Sequence, residues 1–460
     1  MIDTFAIRCN VLKLAFSGQL SQHEVEDGAI DDLLKRVNPN REIKQSEAGP
    51  YEIPENWAWV KLEDLYEINP KVEAADDTDA AFIPMERISA GFSDSFTFEV
   101  QKWSAASKNH TRFADGDVAF AKISPCFENR KSFIATGLPN GIGGGTTELI
   151  ILRQKEMLLR FTYYVTLDQR FIHEGVASYK GTVGQQRVKS DVIKNYMVAV
   201  PPKEEQQRII EKIESIFSAL DTIDTLQSQY QDNLATLKSK IIDAGIQGKL
   251  TEQLPEDGNA EELYQQIRTI QGIKKNDTTN PSADLPEIPS TWRQVRLGDI
   301  VRVLGGKRIP AGRKLTTEDT GHKYIRISDM KNRSVDAEKL LFVPEDIYPS
   351  IAQYIIHKED VYITVAGTIG RVGKIPESVD GANLTENADR LVFSNLDQDW
   401  LIYCLTSTFV QKQIEYLTTQ VAQPKLAIKR IQEFLLPLPP LAEQKRIVAK
   451  LEELLPLCEG

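Results

Sequence analysis

The sequence predicts a chain of α+β class, with two globular domains in a pseudo-twofold arrangement joined by long antiparallel coiled-coil helices. Two long segments both begin with Ile-Pro-x-x-Trp and end in Pro-Pro, so one globular unit is written twice. The same helix start follows each Pro-Pro. A heptad stripe of apolar residues after the first of these starts indicates a long helix.

The repeat is clearest at the two ends of the globular unit. "IPENWAWVKLEDLYEI" from Ile53 resembles "IPSTWRQVRLGDIVRV" from Ile288. "PPKEEQQRIIEKIESIF" from Pro201 resembles "PPLAEQKRIVAKLEELL" from Pro439. A polar, Pro-rich stretch precedes each unit and is typical of a domain boundary. A chain of 460 residues has room for two such domains.

The segment between the two units reads as one long helix from about Lys203 to Lys249. Its apolar residues, from Ile209 to Ile241, recur in steps of three and four. Taken alone, this stripe is typical of an intramolecular hairpin or a homodimer zipper. Together with the repeat, it favours a pseudo-twofold molecule held by two antiparallel helices.

The repeat is circularly permuted at the ends of the chain. "NVLKLAFSGQLSQ" near the N-terminus matches "KIIDAGIQGKLTEQ" after the central helix, with Gly18 opposite Gly248. We therefore predict that the N-terminal segment completes a second spacer helix that the C-terminal segment begins. The predicted segments are the N-terminal helix and linker (1–50), domain 1 (51–202), the central coiled-coil helix and linker (203–285), domain 2 (286–440) and the C-terminal spacer helix (441–460).

Composition excludes several classes of protein. The net charge is −11, from 55 basic and 66 acidic side chains, which argues against a non-specific nucleic-acid coat protein but leaves room for small basic faces. The cysteines Cys9, Cys126, Cys404 and Cys458 form no CxxC pair, so we expect a reducing cytoplasm and no disulfide framework. No apolar run is long enough for a membrane span, and the N-terminus lacks the pattern of a signal peptide.

We find no catalytic motif in the sequence. A DNA methyltransferase needs a Gly-rich cofactor loop and an Asn/Asp-Pro-Pro-Tyr-type loop, and neither occurs. The glycine run "GLPNGIGGGTT" lacks the Lys-Ser/Thr ending of a phosphate-binding loop and is more typical of a tight turn. The five histidines are isolated, which argues against a metal hydrolase. The sequence predicts a non-catalytic chain with no metal and no cofactor of its own.

The arrangement resembles the DNA-specificity subunit of Type I restriction-modification systems over essentially the whole chain. "PLPPLAEQKRIVAKLEELL", "AGIQGKLTEQ" and "IPENWAWVKL" carry the resemblance. It implies that the two domains are target-recognition domains, each reading half of a split DNA site, with the helices as a ruler. It also implies two methyltransferase subunits and motor-nuclease subunits as partners, with S-adenosylmethionine and ATP/Mg²⁺ on those partners. The alternative is a free-standing DNA-binding or scaffolding protein of the same fold.

Sequence-specific reading of DNA needs side chains such as Arg and Gln on base edges and basic groups on phosphates. In the first domain the candidates are Lys122, Arg130 and Lys131 of "AKISPCFENRK", with Thr182, Gln185, Gln186, Arg187 and Lys189 of "GTVGQQRVKSD". In the second they are Lys307, Arg308 and Arg313 of "RVLGGKRIPAGRK", Thr368 and Arg371 of "TVAGTIGRVGK", and Gln420, Gln423 and Lys425 of "TTQVAQPKLAIKR". Any one of these could be an ordinary surface charge, so the prediction concerns the loops as groups.

The repeated helix starts contain two further candidates. Arg208 and Arg446 stand at matching places in the first turn, where they could bind a partner subunit. Glu205 and Glu443 precede them, and an acid near a helix N-terminus is favourable by itself.

Overall fold

The computed structural model describes residues 1–22, 24, 27–37, 49–182, 185–272, 287–418 and 425–459. The chain divides into two compact units, Met1–Ser228 (unit 1) and Gln229–Gly460 (unit 2). The boundary falls inside the long central helix, so each unit combines one globular domain with helical segments from either side of it. The mixed helix and sheet content confirms the predicted α+β class. The predicted pseudo-twofold placement of the two units stays a prediction.

Unit 1 contains ten strands among its described residues, and it ends within the long helix α8. Its helices are α1 (Thr4–Phe16), α2 (Ile30–Val37), α3 (Leu62–Leu65), α4 (Trp103–Ala106), α5 (Leu159–Leu167), α6 (Gln169–Ala177), α7 (Ser190–Lys194) and the first part of α8 (Lys203–Ile246). Its strands are β1 (Ala58–Lys61), β2 (Tyr66–Ile68), β3 (Asp79–Ile83), β4 (Glu99–Lys102), β5 (Thr111–Ala114), β6 (Val118–Ala121), β7 (Ser132–Ile134), β8 (Ile142–Gly145), β9 (Leu149–Gln154) and β10 (Met197–Val200).

Two four-stranded sheets form the body of the unit 1 domain. One has the order β2-β9-β6-β7, and the other has the order β4-β3-β8-β5 with β3 and β8 parallel. The apolar run of β9 is typical of a strand that is covered on both faces. Leu149 and Ile151 pack in one core cluster, and Ile150 and Leu152 pack in another that includes α1 and α8. Strands β1 and β10 pair and so join the two ends of the domain.

Unit 2 follows the same order of elements. After the last part of α8, its helices are α9 (Ala260–Gln271), α10 (Leu297–Ile300), α11 (Tyr348–Ile351), α12 (Gln398–Thr406), α13 (Thr408–Thr418), α14 (Ile428–Gln432) and α15 (Leu441–Leu454). Its strands are β11 (Arg293–Arg296), β12 (Arg302–Gly305), β13 (Lys323–Ile325), β14 (Met330–Lys331), β15 (Ser334–Val335), β16 (Leu341–Phe342), β17 (Ile355–Ile356), β18 (Val361–Thr364), β19 (Val372–Lys374), β20 (Ala382–Leu384), β21 (Ala388–Val392) and β22 (Leu435–Leu438).

The sheets of unit 2 repeat those of unit 1 strand for strand. Their orders are β12-β21-β18-β19 and β16-β13-β20-β17, again with one parallel pair, β13 and β20. Strands β11 and β22 pair as β1 and β10 do. The hairpin of β14 and β15 has no counterpart among the strands described for unit 1.

The predicted long helix is confirmed as α8, whose 44 residues span about 66 Å. In unit 1, α1 runs antiparallel to it: Thr4 bonds Asp224, and Arg8 bonds Asp221 at 2.5 Å. Asp3 caps α1 by accepting a hydrogen bond from the amide of Ala6. None of the described helices is both long and apolar enough to cross a membrane.

In unit 2, α15 packs antiparallel on the last part of α8. A Cβ at Gly245 would lie 3.2 Å from Leu451, and Lys238 pairs with Glu459 at 3.6 Å. Two apolar residues of the heptad stripe, Tyr230 and Leu237, are 53% and 46% exposed. The terminal helices make their buried contacts toward the two ends of α8, which leaves these middle side chains open to solvent.

Candidate nucleic-acid interface

The candidate loops of unit 1 meet at one end of the sheet β2-β9-β6-β7. The amide of Lys122 donates to the carbonyl of Glu148 at 2.8 Å, and its carbonyl accepts from the amide of Val188 at 2.9 Å. The amide of Ser124 donates to the carbonyl of Gln186 at 2.8 Å. These backbone bonds join three segments that are distant in sequence into one surface, which we call loop surface 1 (122–124, 146–148, 180–182 and 185–189).

Most of the predicted side chains of loop surface 1 face solvent. Thr182, Gln185, Arg187 and Lys189 are exposed, whereas Gln186 is half-buried. The guanidinium of Arg187 pairs with both carboxylate oxygens of Glu148, at 2.9 and 2.7 Å. This hydrogen-bonded pairing lowers the pKa of Glu148. The acid therefore holds the arginine in a defined orientation on the surface.

Lys122 also lines an open groove of about 450 Å³ beside these loops. The groove contains Lys71, His110 and Arg112, none of which sequence reasoning selected. The guanidinium of Arg112 lies over the Trp103 ring at 5.7 Å. These residues could not be selected from the sequence, because each is an isolated basic or imidazole group. The fold brings them together.

Arg130 is buried, which corrects its prediction as a DNA contact, whereas Lys131 is half-buried and its role stays a prediction. Arg130 is only 4% exposed, and its guanidinium donates to the carbonyl of Leu167 at 3.0 Å and to the amide oxygen of Gln169 at 2.5 Å. The ammonium of Lys131 donates to the carbonyl of Met85 at 2.8 Å. Both side chains satisfy internal acceptors and so stabilise the domain.

The candidate loops of unit 2 converge through an equivalent backbone network. The amide of Val365 donates to the carbonyl of Asn387 at 2.8 Å, as Lys122 does to Glu148 in unit 1. The amide of Leu426 donates to the carbonyl of Val365 at 2.9 Å, and the amide of Lys307 donates to the carbonyl of Leu384 at 2.8 Å. The resulting loop surface 2 comprises 306–308, 364–371, 385–388 and 425–427.

Loop surface 2 has a different set of side chains. Lys307, Thr368, Arg371 and Lys425 are exposed, and Arg308 pairs with Glu386 at 2.6 Å. Arg313 lies further along its loop and pairs with Asp346. The predicted contacts Gln420 and Gln423 lie outside the described residues.

The predicted partner-binding arginines each form an intramolecular ion pair and are half-buried, and their role in binding a partner stays a prediction. Both terminal guanidinium nitrogens of Arg208 donate to the carboxylate of Asp27 at 2.6 Å. Arg446 pairs in the same way with Asp257, with one contact at 2.8 Å, and lowers the pKa of that carboxyl. The Arg208–Asp27 pair thereby connects the start of α8 to the segment after α1. The Arg446–Asp257 pair connects the start of α15 to the segment after α8.

The glutamates before these arginines do more than favour the helix start. Glu205 is 1% exposed and accepts hydrogen bonds from the indole of Trp57 at 3.0 Å and the hydroxyl of Ser21 at 2.8 Å. Glu443 repeats this arrangement with the indole of Trp292 at 2.8 Å and the hydroxyl of Thr251 at 2.9 Å. The tryptophan of Ile-Pro-x-x-Trp is thus fixed to the helix pair.

The remaining repeated residues complete the contact between each globular domain and its helix pair. We call this contact the joint. Gln206 accepts from the amide of Leu158 at 3.1 Å, and Gln444 accepts from the amide of Asp397 at 2.9 Å. Gly18 and Gly248, both with φ of +72°, pack against Pro54 and Pro289, where a Cβ would overlap the proline ring. The members of the joint are Gly18, Ser21, Asp27, Pro54, Trp57, Glu205, Gln206 and Arg208 in unit 1, and Gly248, Thr251, Asp257, Pro289, Trp292, Glu443, Gln444 and Arg446 in unit 2.

The repeated domains and their joints agree with a comparison with known families. Residues 54–230 and 289–458 match the model of the Type I restriction modification DNA specificity domain. The chain belongs to this family. It is a specificity subunit, the DNA-recognition rather than the catalytic component of a restriction-modification complex.

Relatives support this membership along the whole chain. The chain is 30% identical to the Type I restriction enzyme EcoAI specificity subunit of Escherichia coli, over 99% of this chain and 90% of that protein. It is 27% identical to the EcoEI specificity subunit of Escherichia coli, over 100% and 90% of the two chains. A solved chain from "Structural basis underlying complex assembly and conformational transition of the type I R-M system" shares the fold, with a TM-score of 0.63, 19% identity and coverage of 89% and 92%.

Proposed function

We propose that the chain recognises a bipartite duplex DNA site, with one recognition domain for each half, and brings methyltransferase subunits to it. The observation that carries this proposal is the pair of loop surfaces. They occupy equivalent strand ends in domains of the same topology, yet they present different side chains. Two domains with one frame and different contact residues are suited to reading two different half-sites.

The side chains of each surface suit base and phosphate contacts. Gln185 and Gln186 can bond adenine bidentately, and Arg187 or Arg371 can do the same for guanine. Lys122, Lys189 and Lys307 suit phosphates, which position the protein on the duplex. Because the continuous helix α8 belongs to both units, it can act as the ruler that sets the unspecified gap in the site.

Matching grooves in the two units favour a partner that binds twice. In unit 1 a groove of about 870 Å³ lies between α1 and α6 and includes Asn10, Lys13 and His173. In unit 2 a groove of about 530 Å³ lies between α8 and α13 and includes Ser239 and Lys412. We assign these grooves to two copies of the methyltransferase subunit. Motor-nuclease subunits would join them in the cytoplasm, with S-adenosylmethionine and ATP/Mg²⁺ held by the partners.

Single-molecule sequencing of methylated bases tests the proposal directly. Host DNA is compared with this gene intact, deleted and restored. We expect one split motif to lose its methylation on deletion and to regain it on restoration. Unchanged methylation, together with purification of the chain without a methyltransferase, would favour the free-standing DNA-binding or scaffolding protein instead.

A further inference from the structure

The groove beside loop surface 1 brings together basic side chains from both four-stranded sheets of unit 1. Its lining includes Lys71 after β2, Arg112 on β5 and Lys122 after β6, against one acid, Glu73. Strand β5 belongs to the sheet β4-β3-β8-β5, whereas β2 and β6 belong to the sheet β2-β9-β6-β7. We call this groove the basic groove. Its excess of positive charge contrasts with the net charge of −11 for the whole chain.

The three cations of the basic groove are not neutralised by acids. Among the described residues, none of Lys71, Arg112 and Lys122 forms an ion pair, whereas Lys102 of β4 pairs with Asp79 at 2.7 Å in the same domain. A cation without an acidic partner keeps its charge available to an anionic ligand. The groove therefore has the electrostatic character of an anion-binding site.

The fold orients Arg112 without neutralising its charge. Its Nε and Nη1 donate to the carbonyls of Ser107 and Val72 at 3.4 and 3.5 Å, and its guanidinium lies 5.7 Å from the centre of the Trp103 ring. Val72 and Trp103 belong to one buried cluster, so these contacts are made to a fixed part of the domain. A guanidinium has five N–H donors, and Arg112 therefore keeps donors for a phosphate.

His110 lines the basic groove as part of its frame. A carbonyl can only accept a hydrogen bond, so Nδ1 of His110 donates to the carbonyl of Ala106 at 3.1 Å. The ring also contacts that of Phe82, with 4.8 Å between the two centres. Both contacts fix the ring within the domain, so we assign the binding of an anion to the three cations.

Unit 2 has uncharged residues at the matching places. Arg112 of β5 corresponds to Ile355 of β17, because each lies opposite the next-to-last residue of the strand that runs parallel to β3 or β13. Lys122 corresponds to Val365, which is 1% exposed. Unit 2 has its exposed cations at other positions, such as Lys307. The basic groove is thus a feature in which the two domains differ.

We propose that the basic groove binds the phosphate backbone of the duplex and extends the DNA contact of the first recognition domain from loop surface 1 onto the sheet β4-β3-β8-β5. This inference rests on the proposed function. Lys122 and Thr147 belong to both surfaces, so a DNA strand held at loop surface 1 can continue into the groove. Phosphate contacts carry no sequence information, so the groove adds affinity and orients the duplex while the loops read the bases.

The test uses the full chain assembled with its methyltransferase subunits and the double variant Lys71→Gln/Arg112→Gln. Affinity is measured for cognate duplex and for duplex with changed bases over a series of salt concentrations. We expect the affinity for both duplexes to fall about tenfold at physiological salt, and the salt dependence of binding to decrease by about two charges, because two phosphate contacts are lost. Discrimination between the two duplexes should stay unchanged.

Neutral methylphosphonate linkages, placed one at a time along the duplex, locate the contacts. Half-sites are first assigned by asking which half each of Arg187→Ala and Arg371→Ala relaxes. Neutral linkages on the side of the first half-site should weaken binding by the wild type and cost the double variant little, because both changes remove the same interaction. Neutral linkages on the side of the second half-site should affect both proteins equally.

Two variants control for a merely structural effect. Lys102→Gln removes an exposed cation from β4, at the opposite edge of the sheet that contains Arg112, and should leave the salt dependence unchanged. Arg112→Lys keeps the positive charge and should retain the salt dependence that Arg112→Gln reduces. An equal loss in Arg112→Lys and Arg112→Gln would show that Arg112 acts through its packing on Trp103, and it would overturn the assignment.

The outcomes separate the two proposals. An unchanged salt dependence in the double variant, or a loss of affinity confined to the cognate duplex, would overturn the phosphate-binding role of the groove while leaving the proposed function intact. Absence of any preferred site for the wild-type complex would overturn both.

Discussion

In unit 1, Glu205 accepts a hydrogen bond from Trp57, and in unit 2, Glu443 accepts one from Trp292. The rest of the joint matches almost as closely, whereas the loop surfaces share a backbone frame and differ in nearly every side chain. The difference separates two requirements. Both units hold a domain on a helix pair in the same way, so the joint is repeated, whereas under the proposed function the two sets of loops contact different DNA half-sites. The motifs that mark the family therefore have a structural role in the joint.

The largest effect should come from breaking one joint. Trp57→Ala removes a buried indole and one of the hydrogen bonds to the buried carboxylate of Glu205, so we expect unit 1 to lose about 3–5 kcal/mol of unfolding free energy. Trp292→Ala should have the same effect on unit 2. Urea unfolding, monitored by hydrogen exchange in each unit separately, would measure this loss of unfolding free energy. If either variant unfolds like the wild type, the joint does not hold the domain.

A smaller effect should follow from Gly18→Ala, which tests the close approach of the joint rather than its hydrogen bonds. The backbone at Gly18 has φ of +72°, and a Cβ would overlap the ring of Pro54. We expect a loss of about 2–3 kcal/mol in unfolding free energy. Gly28→Ala is the matched control, because Gly28 has φ of +75° but no atom within 4 Å of its Cβ position. It should cost only the left-handed strain, about 1 kcal/mol; equal losses would show that the contact with Pro54 is unimportant.

Repetition made the architecture predictable. Matching motifs at Ile53 and Ile288 defined two domains, and the spacing of apolar residues defined α8. The loops that contain Gln186 and Arg371 could also be chosen from composition. Positions within the loops could not, because burial is decided by tertiary packing. Arg130 resembles a phosphate-binding residue in sequence, yet its guanidinium is used internally. The buried acid Asp389 belongs to no motif, and only the strand register shows that it lies where unit 1 has Ile150.

The two units also differ in how the domain contacts its helix pair, and Phe92 tests this difference. Phe92 packs edge-to-face on Phe5 of α1 at 5.4 Å and on Phe217 of α8 at 5.4 Å. Unit 2 has the β14–β15 hairpin at this place in the sequence, where Arg333 lies over Tyr403. Because Phe92 is only half-buried, Phe92→Ala should cost unit 1 about 1–2 kcal/mol.

Unit-resolved hydrogen exchange would measure the effect of Phe92→Ala. Protection should fall in the recognition domain of unit 1 and stay unchanged in unit 2. Phe98→Ala is a control in the same domain, since Phe98 contacts Phe96 and packs on the cluster between the sheets rather than on the helices. Comparable loss of protection on α1 in both variants would mean that Phe92 has no special role in bracing the domain.

The smallest change in stability should accompany a marked change in recognition. Replacing Gln185 and Gln186 by Ala should alter the unfolding free energy by no more than about 0.5 kcal/mol, because the loop is held by backbone bonds. The same variant should lower discrimination at one half-site about tenfold, since amide contacts to base edges are lost.

Lys189→Ala is the contrasting control. Loss of a phosphate contact should weaken cognate and non-cognate binding alike and reduce the salt dependence by about one charge. If the glutamine variant behaves like Lys189→Ala, the two glutamines position the DNA without reading it, and base recognition in unit 1 must come from other residues, such as Arg187 or those of the groove that contains Lys71 and Arg112.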